Sequence, residues 1–257
     1  MYIFSCEREY DAMLTCIYKA WDSGLGHKNI KLELEPLGQM NLTDTYIHVD
    51  TDTELARKVM DAVNTKISPW FYSQLAYASM AYEDDILDLM YRMMLMGFNY
   101  GPHATEMVQY GVPMRFKEVR KRLGREINRF QEFSRFHAIG NTYIAHIEPK
   151  SRLVMALGPI FEDRMPSEDW MIIDDVHKEA VVHPKNEQWY LRTFSDEEME
   201  SLMRTEDMND EYTDLWKIFF DTIAIKERTN PRCQNTLFPK WTRKHAVEFM
   251  ESGKQPT

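Results

Sequence analysis

The sequence predicts an α+β fold: a mainly helical N-terminal part, a small antiparallel sheet and closing C-terminal helices. Three observations carry this. Apolar residues recur at helical spacing through much of the first half of the chain. Short alternating runs punctuated by prolines come after the longest of these helices. Strands and helices are segregated rather than alternating as βαβ units, which separates α+β from a doubly wound sheet.

Tyr2-Ile3-Phe4 is strand-like, and Tyr10, Met13, Leu14, Ile17, Tyr18 and Trp21 then repeat with helical period until Gly24 and Gly26. Tyr46-Ile47-His48-Val49 alternates as a short strand, and the polar cluster 50–53 caps a helix over 54–66. Residues 69–97 read as two helices broken near 81–84, the second rich in methionine: Met90, Met93, Met94 and Met96. Methionine is an adaptable core filler, so packing is favoured over a binding groove. Gly97, Gly101 and Pro102 form a loop, a short helix covers 104–110, and Gly111 and Pro113 break the chain. Phe116, Val119, Leu123, Ile127 and Phe130 then define one face of a long amphipathic helix over 116–133.

Beyond it, 143–147, 170–173, 179–182 and 188–191 are strand-like runs separated by Pro149, Pro159, Pro166 and Pro184, the pattern of an antiparallel sheet with turns. Ser195 and Glu198 form a capping box that opens a helix to about residue 203, and Leu215, Ile218, Phe219 and Ile223 stripe another over 210–224. One domain over 1–257 is expected, with a softer boundary near 111–113.

A chain of 257 residues with 44% hydrophobic content can bury a sizeable core. The formal charge of −10 argues against a protein that coats nucleic acid indiscriminately. Its distribution is uneven: acidic residues crowd 162–211, whereas basic ones concentrate in 115–135 and 226–244. Cys6, Cys16 and Cys233 cannot pair completely and none stands in CxxC spacing, so reduced thiols and no metal or iron–sulfur centre are expected. No basic stretch followed by an apolar one opens the chain, and the most apolar run, 89–98, is short and broken by Arg92. A soluble, cytoplasmic protein without membrane contact is the expectation.

Two segments offer binding chemistry. On the long helix Lys121, Arg122, Arg125 and Arg129 share a side of the helical wheel and suit a phosphate backbone. Their alternative is an ordinary solvated face, since Glu118 with Arg122, Arg122 with Glu126, and Arg129 with Glu132 have ion-pair spacing. In the C-terminal block 225–244, Lys226, Arg228, Arg232 and Lys240 supply positive charge, Asn230 and Gln234 supply amide groups, and Trp241 a stacking face. Its alternative is a docked tail whose polar groups close against the acidic region.

The run Leu215-Trp216-Lys217-Ile218-Phe219-Phe220 leading into Ile225-Lys226-Glu227-Arg228-Thr229-Asn230-Pro231-Arg232-Cys233-Gln234 and then Phe238-Pro239-Lys240-Trp241 resembles the end of a bacterial family of uncharacterised DNA-metabolism proteins. Ala145-His146-Ile147-Glu148-Pro149-Lys150, Phe161-Glu162-Asp163-Arg164 and Trp170-Met171-Ile172-Ile173-Asp174 fit the same family. The resemblance implies a partner, a radical S-adenosylmethionine protein thought to modify or repair DNA, and relatives fused to a domain similar to uracil-DNA glycosylases. It implies a DNA-associated accessory role, with Lys226, Arg228, Asn230, Arg232, Gln234 and Lys240 as contacts. It supplies no catalytic residues.

A radical enzyme needs three closely spaced cysteines, which this chain lacks, so it is not that enzyme itself. His137, His146, His177 and His183 with Asp174 and Asp175 form a possible metal or acid–base set, although no HExxH spacing unites them. Polar turns at strand ends are the favoured reading of those residues, and no metal or cofactor is expected. Whether the protein is an enzyme stays open, a base-excising or base-hydrolysing activity being the alternative to an accessory role.

Overall fold

A computed structural model of the protein describes residues 1–203, 230, 232, 235–236 and 238–246. The helix expected over 210–224 lies outside them. The α+β class holds: the described residues form seven α-helices and two sheets, of three and five strands. The chain divides into two compact units, Met1–Leu123 and Gly124–Thr257.

In the first unit β1 (Tyr2–Cys6) is the central strand of a parallel sheet, flanked by β2 (Ile30–Leu34) and β3 (Thr45–His48). A central parallel strand is covered on both faces, and Ile3, Phe4, Ser5 and Cys6 are accordingly all buried. Parallel neighbours need a crossover, which α1 (Tyr10–Asp22) provides between β1 and β2. The expected segregation of strands from helices therefore fails here, because these three elements make a βαβ unit. Strand β2 is an element that the sequence pattern did not elect, although Ile30, Leu32 and Leu34 alternate with Lys31 and Glu33 and all three are buried.

Helix α2 (Thr53–Lys66) starts where Asp52 accepts from the Glu54 and Leu55 amides at 3.0 and 3.1 Å. Helix α3 (Pro69–Ser79) has Ser68 as cap and a proline in its first turn, where the missing N–H has no helical partner to lose. In α4 (Ile86–Tyr100) Met90, Met93 and Met94 are fully buried in one cluster with Phe71 and Leu75, so they are core. Arg92, the charge inside that apolar run, donates to the His27 and Ile30 carbonyls and to Asp88, and thereby fastens the chain leading into β2. Cys6 and Cys16 are buried free thiols; Cys6 lies on β1, not on the helix with Cys16.

Pro113 stands in the first turn of α5 (Gly111–Phe133). The break expected at 111–113 is thus a helix start, again because an early proline has no backbone bond to lose.

The second unit carries the sheet order β4 (His137–Ile139), β5 (Thr142–Ile147), β6 (Asp169–Asp174), β7 (Glu179–His183), β8 (Tyr190–Thr193). All neighbours are antiparallel except β5 and β6, which run parallel. The expected purely antiparallel sheet is corrected here, and the reason is α6 (Val154–Arg164), the crossover that parallel pairing requires. Pro159, which in sequence reads as a turn, lies inside α6 and away from its buried face, where Val154, Leu157 and Phe161 pack. Trp170 is wholly buried, stacked on His183 with ring centroids 4.9 Å apart, its Nε1 donating to the Met165 carbonyl at 3.2 Å. Helix α7 (Asp196–Met203) opens with the expected capping box: Glu198 accepts from the Ser195 amide at 2.9 Å and its own amide donates to Ser195 Oγ at 3.3 Å. No helix among the described residues is long and apolar enough to cross a membrane.

Candidate functional site

Of the residues nominated in the C-terminal block, Lys226, Arg228 and Gln234 lie outside the described residues, while Asn230, Arg232 and Lys240 are exposed. The chain on either side of Lys240 is docked. Phe238 stacks on Phe133 at 3.9 Å. The Trp241 ring meets Phe130 at 6.2 Å, with the Arg129 guanidinium at 5.5 Å and the Lys150 ammonium at 5.1 Å from its centroid. Lys244, at the end of the block, pairs with Glu148, which lies outside the acidic stretch 162–211.

The arginines of α5 are divided among different partners. Arg115 makes a two-pronged pair with Asp85 at 3.0 and 3.1 Å, which holds the Asp85 carboxyl below its usual range. Arg122 reaches the buried Glu83 at 3.3 Å, without hydrogen-bond geometry, rather than Glu118 or Glu126. Arg129 is taken up by Trp241. The intrahelical pairs suggested by spacing give way to these longer-range partners. Lys117, Lys121 and Arg125 remain exposed, with no ion pair among the described residues.

Within the first unit, Ser73, Gln74 and Tyr77 of α3 and Lys117, Arg120 and Lys121 of α5 line an open recess of about 720 Å³. Burial pushes the Tyr77 phenol up, and the same desolvation lowers the Arg120 guanidinium. This is a cationic depression with an aromatic wall.

A second constellation lies in the other unit, at the C-terminal ends of the parallel pair β5 and β6. Their register sets Ile147 beside Asp174, and the Asp175 amide continues the ladder to the Ile147 carbonyl at 3.0 Å. Asp175 Oδ1 therefore meets His146 Nδ1 at 2.9 Å, both side chains being buried. His245 Nε2 lies 3.6 Å from Asp175 Oδ2 and 3.7 Å from Glu148 Oε1. Just beyond Glu148, the buried Glu126 carboxylate accepts from the Lys150 amide (2.7 Å), the Ser151 amide (3.3 Å) and the Ser151 hydroxyl (2.7 Å), which pins this loop to α5.

The histidine set suggested by the sequence separates into four places. His146 joins Asp175 as above. His177 Nδ1 meets Asp174 Oδ2 at 2.6 Å while Asp174 Oδ1 accepts from the Val176 and His177 amides, the bonding of a capped turn. His183 packs on Trp170, its Nδ1 3.0 Å from the Glu168 carbonyl. His137 lies on β4. Sequence reasoning does not elect Glu148 or His245, which complete the first group.

The family described as a domain of unknown function, DUF4130, matches residues 84–248, more than half of the chain. No curated protein matches.

Proposed function

The chain belongs to the DUF4130 family, a domain of unknown function, and we propose that it is a DNA-associated accessory protein of a radical S-adenosylmethionine modification or repair system, binding or presenting nucleic acid. The radical partner rests on the resemblance of the C-terminal block, and one observation supports the nucleic-acid part of the reading. In a protein of net charge −10, Lys117 and Lys121 stay exposed and without ion pairs among the described residues, flanking a recess that also holds Tyr77. Two solvated ammonium groups beside an aromatic ring suit a ligand with phosphates and a stackable base.

Arg125, and separately Lys226, Arg228, Asn230, Arg232, Gln234 and Lys240, are further proposed nucleic-acid contacts. Arg122 and Arg129 serve as positioning groups, given their engagement by Glu83 and Trp241. Fluorescence anisotropy with single-stranded and duplex oligonucleotides across a salt series tests the reading. Lys117→Ala with Lys121→Ala should lower the slope of log affinity against log salt by about 2 on duplex. An unchanged slope sinks the recess, and a parallel Arg228→Ala, Arg232→Ala variant reads the block separately. Co-purification with the radical protein without any DNA shift would instead indicate a protein-binding adaptor.

A second reading, a base-excising or base-hydrolysing enzyme, draws on the His146–Asp175 pair beside Glu148 and His245. The adjoining cavity, about 10 Å³, admits one water-sized species and no flipped base, so the accessory role is preferred. Release of product from lesion-bearing oligonucleotides by the purified protein alone would reverse that preference.

A further inference from the structure

We propose that Glu148, Asp175 and His245 hold one divalent first-row transition cation. The inference stands apart from the accessory reading, whose proposed contacts are other residues. One ligand atom from each of the three lies within 4.8 Å of the others. The two separations from His245 Nε2, 3.6 and 3.7 Å, exceed hydrogen-bond length. They are close to the spacing of about 3.4 Å between two ligands that each stand about 2.1 Å from a tetrahedral centre.

The frame is built for this. Asp175 and Glu148 leave the ends of adjacent parallel strands, and Glu126 fixes the loop after Glu148. His146 Nδ1 holds Asp175 Oδ1, leaving Oδ2 as the oxygen nearer His245. A hydrogen bond to a metal-binding carboxylate is the usual outer support of such a site. Independently, His146 is 4% exposed and its Nε2 has no hydrogen-bond partner among the described residues, an expensive state for a buried polar atom. His146 lines the small cavity together with Glu148 and His245. Its volume of about 10 Å³ suits a single water, and a cation-bound water there gives Nε2 the donor it needs.

One imidazole with two carboxylates favours zinc, manganese or iron(II) over magnesium or calcium, which take all-oxygen sets. Lys244 is the group a cation displaces from Glu148, and its side chain, 63% exposed, can swing into solvent. The cluster Asp174, His177 and Glu179 also has ligand spacing, but Asp174 already accepts from two amides and His177.

The test uses the full chain, stripped of metal by a chelator and titrated with Zn²⁺ and with Mn²⁺ by calorimetry, Mg²⁺ serving as the control. One equivalent of Zn²⁺ or Mn²⁺ should bind, raise the thermal midpoint and leave Mg²⁺ far behind. His245→Gln and Glu148→Gln should each weaken binding at least tenfold, with circular dichroism reporting that both variants fold. If a variant does not fold, visible absorption of the Co²⁺-loaded wild-type chain replaces it, nitrogen-and-oxygen ligation being required. Absence of stoichiometric binding, binding that survives either folded variant, or loss in His177→Gln alone overturns the proposal.

Discussion

Glu126 shows how much one side chain can organise. It sits in a helix at 6% exposure, yet its carboxylate faces two backbone amides and a hydroxyl from the loop after β5. Glu126→Ala should lower stability by about 3 kcal/mol, because the donors lose a charged acceptor where water does not replace it. A shift of the urea midpoint at unchanged slope reads this, and a change under about 1 kcal/mol would refute the pinning role. In sequence Glu126 looks like one end of an ion pair with Arg122. Spacing reports which side chains can meet along a helix, not which distant backbone they meet. The same limit hides Glu148 and His245, which are far apart in the chain and belong to no local pattern. His146 and Asp175 are legible as candidates, but only among six that the fold sends to different places.

At the scale of elements, the close approach of α3 and α4 is set by Gly97. A methyl group there would lie 2.6 Å from Phe71 Cζ and 2.8 Å from Ile67 Cδ1, inside contact distance. Gly97→Ala should therefore destabilise by about 1–3 kcal/mol through overpacking, despite the better helix propensity of alanine. Thermal denaturation decides it; a stabilised variant would show that Phe71 yields. The helices α1 to α5 are legible because amphipathic period survives without knowledge of partners. So is the capping box of α7, a signal contained in four residues. Apart from β4, a three-residue strand paired antiparallel with β5, two elements escape: β2, a five-residue strand, and α6, whose internal Pro159 imitates a turn. Each of these two belongs to a parallel pairing, β2 with β1 and α6 as the crossover from β5 to β6, and parallel pairing is a long-range property. A purely antiparallel sheet is what remains when that one helix is missed.

For the molecule as a whole, the excess of acid makes stability depend on where carboxylates find cations. Asp85 is one example, its pKa depressed first by the Arg115 hydrogen bonds and then by that positive charge. A carboxylate with a depressed folded pKa contributes stability above its unfolded value, 3.8, and loses it as pH falls through the lower folded value. Asp85→Asn should therefore be less stable than the wild type at pH 7, and the gap should narrow as pH falls below about 3.8. Equal urea midpoints at neutral pH would show that solvent screens the pair. The thiols of β1 and α1 give the molecule a reporter of its own opening. Cys6 and Cys16 are wholly buried, and the neighbouring Cys6 thiol, then burial, pushes the Cys16 thiol far above the range where it ionises. Neither sulfur is available to an alkylating reagent while the first unit is closed, so their labelling tracks the rate at which this unit unfolds. Because the two sulfurs sit on the central strand and the helix that covers it, they should be modified together, and a single-step time course would mark the first unit as one cooperative body.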